Sequence, residues 1–594
     1  MPIVANGTAQ AVILVPANAS KSLRDCGVLL AKYVKASSGA EIPVRISDRA
    51  RFDKGIKIHV GRTPYARRLM VPMDRVGQGD GFVITFPDEK NVVIAGYTDL
   101  GVEFGVYEFL ERYVGVRWLL PGQAGEHVPM RESIEIPRKD VCEEPAFISR
   151  KLSGLKGQAQ SAWARRNRMH GCIEFHHNLF ELFPPHEYGK AHPEFFPTIG
   201  GTRCETPKDR KRGWQPCFTA PGIVEEAVSN ICSHLSRYPE EKSYSLGVND
   251  SGGHCECSRC LAKDSGQLNF LGYRDLSDRY FGWANAVVEG VLKEYPDKWF
   301  GCLAYSEVAA PPSGVSVNGR IIPYMTYDRM KWIDKDIERN SKKITERWAA
   351  KASQLGWYDY IYGTPYLLPR VYFHKMAEYY KYARAHGVRA VYAEAYPNWG
   401  EGPKLYVTLK LLWNPSRDVD TLLKEWYVCA VGEEGASDLA AYYDHWERFW
   451  TQRVLASDWF TREGQILGFN DPGYLEKVTF DDISKSRILL ERVVAKTRTK
   501  KQRSRALLLL RAFEYYEASA LSYLGLVEGR REPGKGEEYY ENMNKKRYRL
   551  VDEFEKDSVL IHPLRFDKRC RKLNWGNEVP IGQSGGENRS QSNT

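Results

Sequence analysis

The segment 245–260 reads SLGVNDSGGHCECSRC and holds the densest chemistry in the chain. The apolar run 244–248 predicts a buried strand that ends in Asn249 and Asp250. A carboxylate just past such a strand is where a parallel barrel keeps its reacting groups. Burial there disfavours the charged carboxyl, which would help Asp250 hold a proton for transfer. The competing reading is an Asx turn, with both side chains bonding nearby backbone.

Other strand-like runs end the same way. Residues 172–179 bring His176, His177 and Asn178, and residues 300–307 bring Tyr305 and Glu307. Residues 320–328 bring Tyr324, Tyr327 and Asp328, and residues 355–361 bring Tyr358 and Asp359, with Tyr362 just beyond. Residues 388–395 bring Glu394, followed by Tyr396, Asn398 and Trp399. If these ends meet on one face, several carboxylates and many rings share one cleft. Such a cleft suits glycosidic bond cleavage, which uses two carboxyl groups and flat apolar surfaces for sugar rings. Asp250 is the expected proton donor, Glu394 the second carboxyl, and Asn249 a third catalytic candidate. The expected substrate contacts are His176, His177, Asn178, Tyr305, Glu307, Tyr324, Asp359, Tyr362 and Trp399. Neighbours on a strand point to opposite faces, so His176 and His177 suit sugar hydrogen bonding and packing better than one shared metal ion.

Cys255, Cys257 and Cys260 form Cys-x-Cys-x-x-Cys, which is not a usual zinc spacing. Cys217 or His254 would be the fourth ligand. A structural zinc, a disulfide pinning the loop after Asp250, and free thiols all stay open. Catalysis itself calls for no cofactor.

Three regions are needed to position these groups. Residues 1–137 read as a compact α/β domain, with strands at 11–15, 56–60, 82–86 and 91–95 and helices opening at Ser20 and Asp99. Residues 138–435 alternate strands with helices, the pattern of a (β/α)8 TIM-type barrel. Seven strands are legible, and an eighth, short one is expected near 406–412. Residues 436–575 read as helical, with segments at 437–450, 484–527 and 545–554, and 576–594 read as a disordered Gly/Ser/Asn-rich tail.

Composition narrows the partners. A net charge of +10 on 594 residues, with no basic block or nucleic-acid motif, argues against nucleic acid. No apolar run is long enough to span a membrane. The opening Met1-Pro2-Ile3-Val4 shows no leader, so the chain reads as cytoplasmic as it stands, or as secreted or periplasmic if a leader was removed. Oligomeric state is not legible.

Gly81 to Ile84, Asp99 to Gly101 with Tyr107 to Glu111, and Gly115 to Leu119 with Pro121-Gly122 resemble the N-terminal domain of α-glucuronidases and β-hexosaminidases. His192 to Pro197, the Asn249-Asp250 segment with its cysteines, Leu303 to Tyr305, and Tyr406 to Pro415 resemble glycoside hydrolase family 163, formerly a domain of unknown function. The likeness covers about residues 5–450 and implies a glycoside hydrolase on complex glycans, with an endo-β-N-acetylglucosaminidase-like activity on N-glycans. Related hexosaminidases use the substrate's own acetamido oxygen as nucleophile, and the resemblance implies that Asn249 could orient it while Asp250 donates the proton. Adjacent residues on an extended strand diverge, so Asp250 facing Glu394 is the alternative pair. Two other readings remain: an exo-glycosidase on a uronic acid or other polysaccharide sugar, with Arg329 and Arg370 binding a carboxylate, and a non-catalytic carbohydrate-binding protein.

Overall fold

The computed structural model describes residues 1–47, 55–69, 71, 73–77, 79–204, 207, 211–250 and 252–556. The expected tail at 576–594 lies outside them.

The first region is a six-stranded sheet built from β1 (Ala11–Val15), β2 (Val44–Ile46), β3 (Ile56–Val60), β4 (Phe82–Thr85), β5 (Asn91–Gly96) and β6 (Val141–Glu143), in the order β6-β4-β5-β3-β1-β2. Its central strands are buried along their whole length, because helices α1 (Lys21–Ser38) and α2 (Asp99–Phe109) pack on it. Both helices start at side-chain caps, Ser20 and Thr98, which satisfy otherwise orphaned backbone N–H groups. The sheet runs past the boundary expected at 137, because β6 pairs antiparallel with β4 and forms the edge of the sheet.

The second region is a parallel sheet of six strands: β7 (Ser149–Leu152), β8 (Ser243–Ser245), β9 (Trp299–Ala304), β10 (Ile321–Tyr327), β11 (Leu355–Tyr360) and β12 (Val388–Glu394). Their order is β7-β12-β11-β10-β9-β8, and every pairing is parallel. Sequential strands are joined by helices such as α3 (Gly157–Arg166), α4 (Ile223–Arg237), α5 (Ser277–Leu292), α6 (Lys335–Ala349) and α7 (Phe373–Ala385).

Between β7 and β8 the sheet is not laddered. The extended segment 172–178 bridges the gap largely through side chains. The Ser149 hydroxyl accepts from the Cys172 N–H, and Ser243 both accepts from the Glu174 N–H and donates to the Cys172 carbonyl. Further along, Asn178 donates from its amide to the Ser245 carbonyl and from its backbone to Gly247. The interior is filled by the stacked rings of Phe175 and Tyr324, 3.7 Å apart. Room for them comes from missing side chains: a Cβ on Gly356 would lie 2.6 Å from the Tyr324 ring, and one on Gly301 2.6 Å from Phe175 Cβ. The eighth strand expected at 406–412 is instead helix α8 (Lys404–Trp413), buried on every side. The expected stretch 406–412 is mostly apolar and reads equally as strand or buried helix, and closure between β12 and β7 leaves no place for another strand.

The third region packs α9 (Val419–Val431), α10 (Glu433–Arg448), α11 (Phe480–Lys496), α12 (Lys500–Leu524) and α13 (Glu537–Lys556). The single helix expected over 484–527 breaks at Thr497–Thr499, where Thr499 and Gln502 form a capping box that starts α12.

A buried charge cluster joins the first region to the barrel. Arg168 reaches Glu108 at 2.6 Å and Glu111 at 2.8 Å, and Glu111 also pairs with Lys410 of α8. Burial would raise the Glu111 carboxyl, but Arg168 and Lys410 bring it well below the usual range. Burial also pushes Lys410 down to about 8, against the pull of Glu111. Glu111→Gln therefore leaves a buried ammonium without its counter-charge and should cost about 3–5 kcal/mol. A marked fall in the thermal midpoint is the expected result, and an unchanged midpoint would contradict it.

Candidate functional site

Asn249 and Asp250 follow β8 and part company at once. The Asn249 side chain is fully buried. Its Oδ1 accepts from the Phe180 N–H at 2.8 Å and its Nδ2 donates to the Trp214 carbonyl at 3.1 Å. Gln215 grips its backbone from both sides, accepting from the N–H at 2.9 Å and donating to the carbonyl at 2.8 Å. Asn249 is thus committed to holding loops together, and the expectation that it orients a substrate amide is corrected.

Asp250 points the other way. Tyr305, just past β9, donates to Asp250 Oδ1 at 3.3 Å. His177 Nε2 lies 3.8 Å from the same oxygen, and Arg212 Nε lies 3.6 Å from Oδ2. His177 Nδ1 donates to the Val248 carbonyl, which fixes the ring and turns Nε2 toward the carboxyl. The Asp250 side chain is 35 % exposed, so the expected burial does not hold.

Glu394 closes β12, half-buried among tyrosines. Burial pushes the Tyr360 hydroxyl up, and Glu394, Tyr305 and Asp250 push it further in that order. Tyr360, at the end of β11, thus lies near both carboxylates. Tyr358 and Tyr392 are likewise raised by burial and by Glu394.

Glu307 lies over the loop that follows Asp250, with His254 Nε2 3.7 Å away. Burial would raise its carboxyl, but His254 and nearby backbone hold it at about 2, so it stays ionised. His254 is thereby placed on Glu307. Two non-glycine residues at these strand ends take the left-handed conformation, Ser306 at φ 52° beside Tyr305 and Glu307, and Tyr396 at φ 36° beyond Glu394. Such strain costs about 1–3 kcal/mol per residue and gathers where side chains are held for function.

Several expected contacts do not reach the cleft. Tyr324 fills the barrel interior. Asp359 is fully buried and accepts from the Arg329 N–H, while the Arg329 guanidinium lies over Trp357 at 3.8 Å. Trp399 packs edge-on against Trp163 inside the protein. Asn178 serves the 172–178 segment. His176 sits against Phe175 and Tyr392, with ring centroids 4.3 and 4.6 Å away. Tyr362 is 3 % exposed, stacked between Tyr396 and Phe469. Arg370 is buried on Asp328 at 2.7 Å, so neither it nor Arg329 offers a free cation to a sugar acid.

Tyr360, Tyr392 and Arg212 lie near the two carboxyls, with Phe469 behind them on Tyr362, and none of the four was singled out in the sequence. Tyr360 had a signal, since it is two residues from Tyr358 on one strand and shares its face. Phe469 had none, because it arrives from the helical region. Gln465 from the same loop donates to the Thr326 carbonyl at 3.0 Å and anchors that approach.

Cys217, Cys255, Cys257 and Cys260 come together behind the Asp250 loop, with all four sulfurs within 4.8 Å of one another. Cys217 Sγ lies 3.8 Å from Cys257 and 3.7 Å from Cys260. A disulfide needs about 2.05 Å, so the expected alternative of a pinning disulfide is not present among the described cysteines.

A parallel barrel with an α/β domain before it and helices after it is a fold shared with carbohydrate-active enzymes. The chain covers 96 % of itself and 79 % of BtGH115A, a family GH115 4-O-methyl-α-glucuronidase with specificity for decorated arabinogalactans, at TM-score 0.60 and 14 % identity. Weaker likenesses are CpGH89 from Clostridium perfringens, solved with GlcNAc-α-1,4-galactose, and the GH20 β-N-acetylhexosaminidase of Streptomyces coelicolor A3(2). The first has TM-score 0.48 and 10 % identity over 81 % of this chain and 62 % of that one, the second 0.40 and 14 % over 71 % and 91 %. No curated protein matches the sequence significantly. The chain belongs to the family described as Domain of unknown function (DUF4838), whose model matches residues 120–444. No helix among the described residues is long and apolar enough to cross a membrane.

Two predictions follow from this geometry. Asn249→Ala strands the Phe180 N–H and the Trp214 carbonyl, each worth about 1–3 kcal/mol when buried unpaired. Its thermal midpoint should fall, and a wild-type midpoint with lost activity would instead make Asn249 a substrate ligand. His176 is held down to about 4 by burial, whereas an unfolded histidine titrates near 6.5. As pH falls from 6.5 to 4 the unfolded chain takes up a proton that the folded chain refuses, so stability drops through that window. His176→Phe should flatten this part of the midpoint–pH curve, and an unchanged slope would refute the assignment.

Proposed function

We propose that the protein is a glycoside hydrolase in which Asp250 protonates the leaving glycosidic oxygen and Glu394 acts from the other side of the sugar. The observation that carries this is that two carboxyls, Asp250 past β8 and Glu394 at the end of β12, lie at the same end of one parallel sheet, with Asp250 held by Tyr305 and His177. Rings packed around such a mouth suit sugar faces, and a bound glycan excludes water from Asp250, which favours its protonated form. Tyr305 and His177 position the carboxyl. Water supplies the hydroxyl that ends on the anomeric carbon, with Glu394 taking its proton, while the leaving oxygen takes the proton of Asp250.

The substrate we favour is a complex N-glycan cleaved within its chitobiose core, as an endo-β-N-acetylglucosaminidase would do. The resemblance to glycoside hydrolase family 163 supports it. Asn249 is engaged with Phe180, Trp214 and Gln215, so a mechanism assisted by the 2-acetamido group needs another residue to orient the amide. Arg212 beside Asp250 supports a second reading, a uronic acid substrate whose carboxylate it would bind.

The two readings separate on a panel of released N-glycans, glycoproteins and uronic-acid oligosaccharides. Asp250→Asn should lower kcat by roughly 10²–10⁴ on a natural glycan, the contribution of a general acid. The loss should shrink on aryl glycosides whose leaving groups need no protonation. Equal losses on both substrate types would show that Asp250 is not the acid, and no loss on either would remove it from the reaction.

A further inference from the structure

We infer that Cys217, Cys255, Cys257 and Cys260 bind one zinc ion, a structural centre that sets the loop carrying Asp250. Four thiolates around zinc at about 2.3 Å in a tetrahedron stand about 3.8 Å apart. The separations of 3.8 and 3.7 Å from Cys217 match that spacing, and all four sulfurs lie inside 4.8 Å. A set of four soft sulfur donors favours zinc over magnesium or calcium, which take oxygen ligands.

The surroundings suit thiolates. Cys217, Cys255 and Cys260 are buried. Cys255 Sγ accepts from the backbone N–H of Thr198 at 3.3 Å and of Cys257 at 3.5 Å. The Thr219 hydroxyl lies 3.1 Å from Cys260 Sγ. Such donors hold ligand sulfurs in place and offset their charge.

The four ligands come from two loops, and a third is tied to them. Cys217 lies in the turn whose Trp214 and Gln215 grip Asn249. Cys255, Cys257 and Cys260 follow Asp250. The Glu256 N–H donates to the Thr198 carbonyl at 2.7 Å, and the Cys217 N–H to Phe195. The loops approach so closely that a Cβ on Gly253 would lie 2.3 Å from the Gly213 carbonyl. A metal at the sulfurs would hold both halves of the clamp around Asn249. This effect on catalysis rests on the role given to Asp250; the metal site does not.

The full-length protein purified without chelator should carry about one zinc per chain by elemental analysis. A mercurial thiol reagent should release that zinc in step with modification of four thiols. Replacement by Co(II) should give the absorption of a tetrahedral cobalt thiolate. Cys217→Ser and Cys260→Ser should lower zinc to below about a tenth per chain. If these variants do not fold, the release and cobalt measurements on the wild type still decide the matter. Metal-free protein with four freely alkylated thiols, intact mass showing two disulfides, or zinc that persists in both serine variants would overturn the site.

Discussion

The candidate site depends on the way Asn249 is held. Four hydrogen bonds, two to its side chain and two to its backbone, fasten it to Phe180, Trp214 and Gln215. An extended chain sends neighbouring side chains to opposite sides. With Asn249 locked inward, Asp250 has to face outward, toward Tyr305, His177 and Arg212. A buried amide with all its groups paired is far costlier to break than a surface contact, since each orphaned partner keeps its full desolvation penalty. The position of the carboxyl is therefore fixed by a residue buried behind it.

The same clamp repairs the weakest part of the barrel. The segment 172–178 has no continuous ladder with either neighbour, and serine hydroxyls and Asn178 do the work that backbone pairing does elsewhere. Phe180, which follows it, ends on Asn249. Side-chain bridging lets this segment bend, which brings His177 to Asp250 while Phe175 stays inside on Tyr324. Opposite, Glu394 is supported from outside the barrel: Tyr516 of α12 donates to Asn398 at 2.8 Å and Tyr443 of α10 to the Gly400 carbonyl at 3.0 Å. The helical region thus buttresses the loop that follows Glu394.

Much of this was legible in the sequence. Alternating strand and helix signals located the staves, and polar residues at their ends marked the mouth, because a strand's last residues are where backbone pairing stops and side chains become available. What the pattern does not carry is which face each side chain takes. Asn249, Asp359, Tyr324 and Trp399 have the chemistry of site residues, yet their partners lie far away in sequence: Asn249 on Trp214, Asp359 on Arg329, Trp399 on Trp163. The eighth strand misled for a related reason, since an apolar run buried on every side has no period to separate helix from strand. Three of the four cysteines stand together in the sequence, and the fold chooses Cys217 over His254 as the fourth.

The central claim is that Asp250 and Glu394 act on one glycosidic bond from opposite sides. A crystal structure of the Asp250→Asn variant with an uncleaved glycan tests it most directly. The account predicts the glycosidic oxygen about 2.6–3.2 Å from the residue-250 side chain, with Glu394 on the far side of the same sugar ring. A glycan whose scissile bond lies against another carboxyl, or one bound away from the ends of β8 and β12, would contradict it.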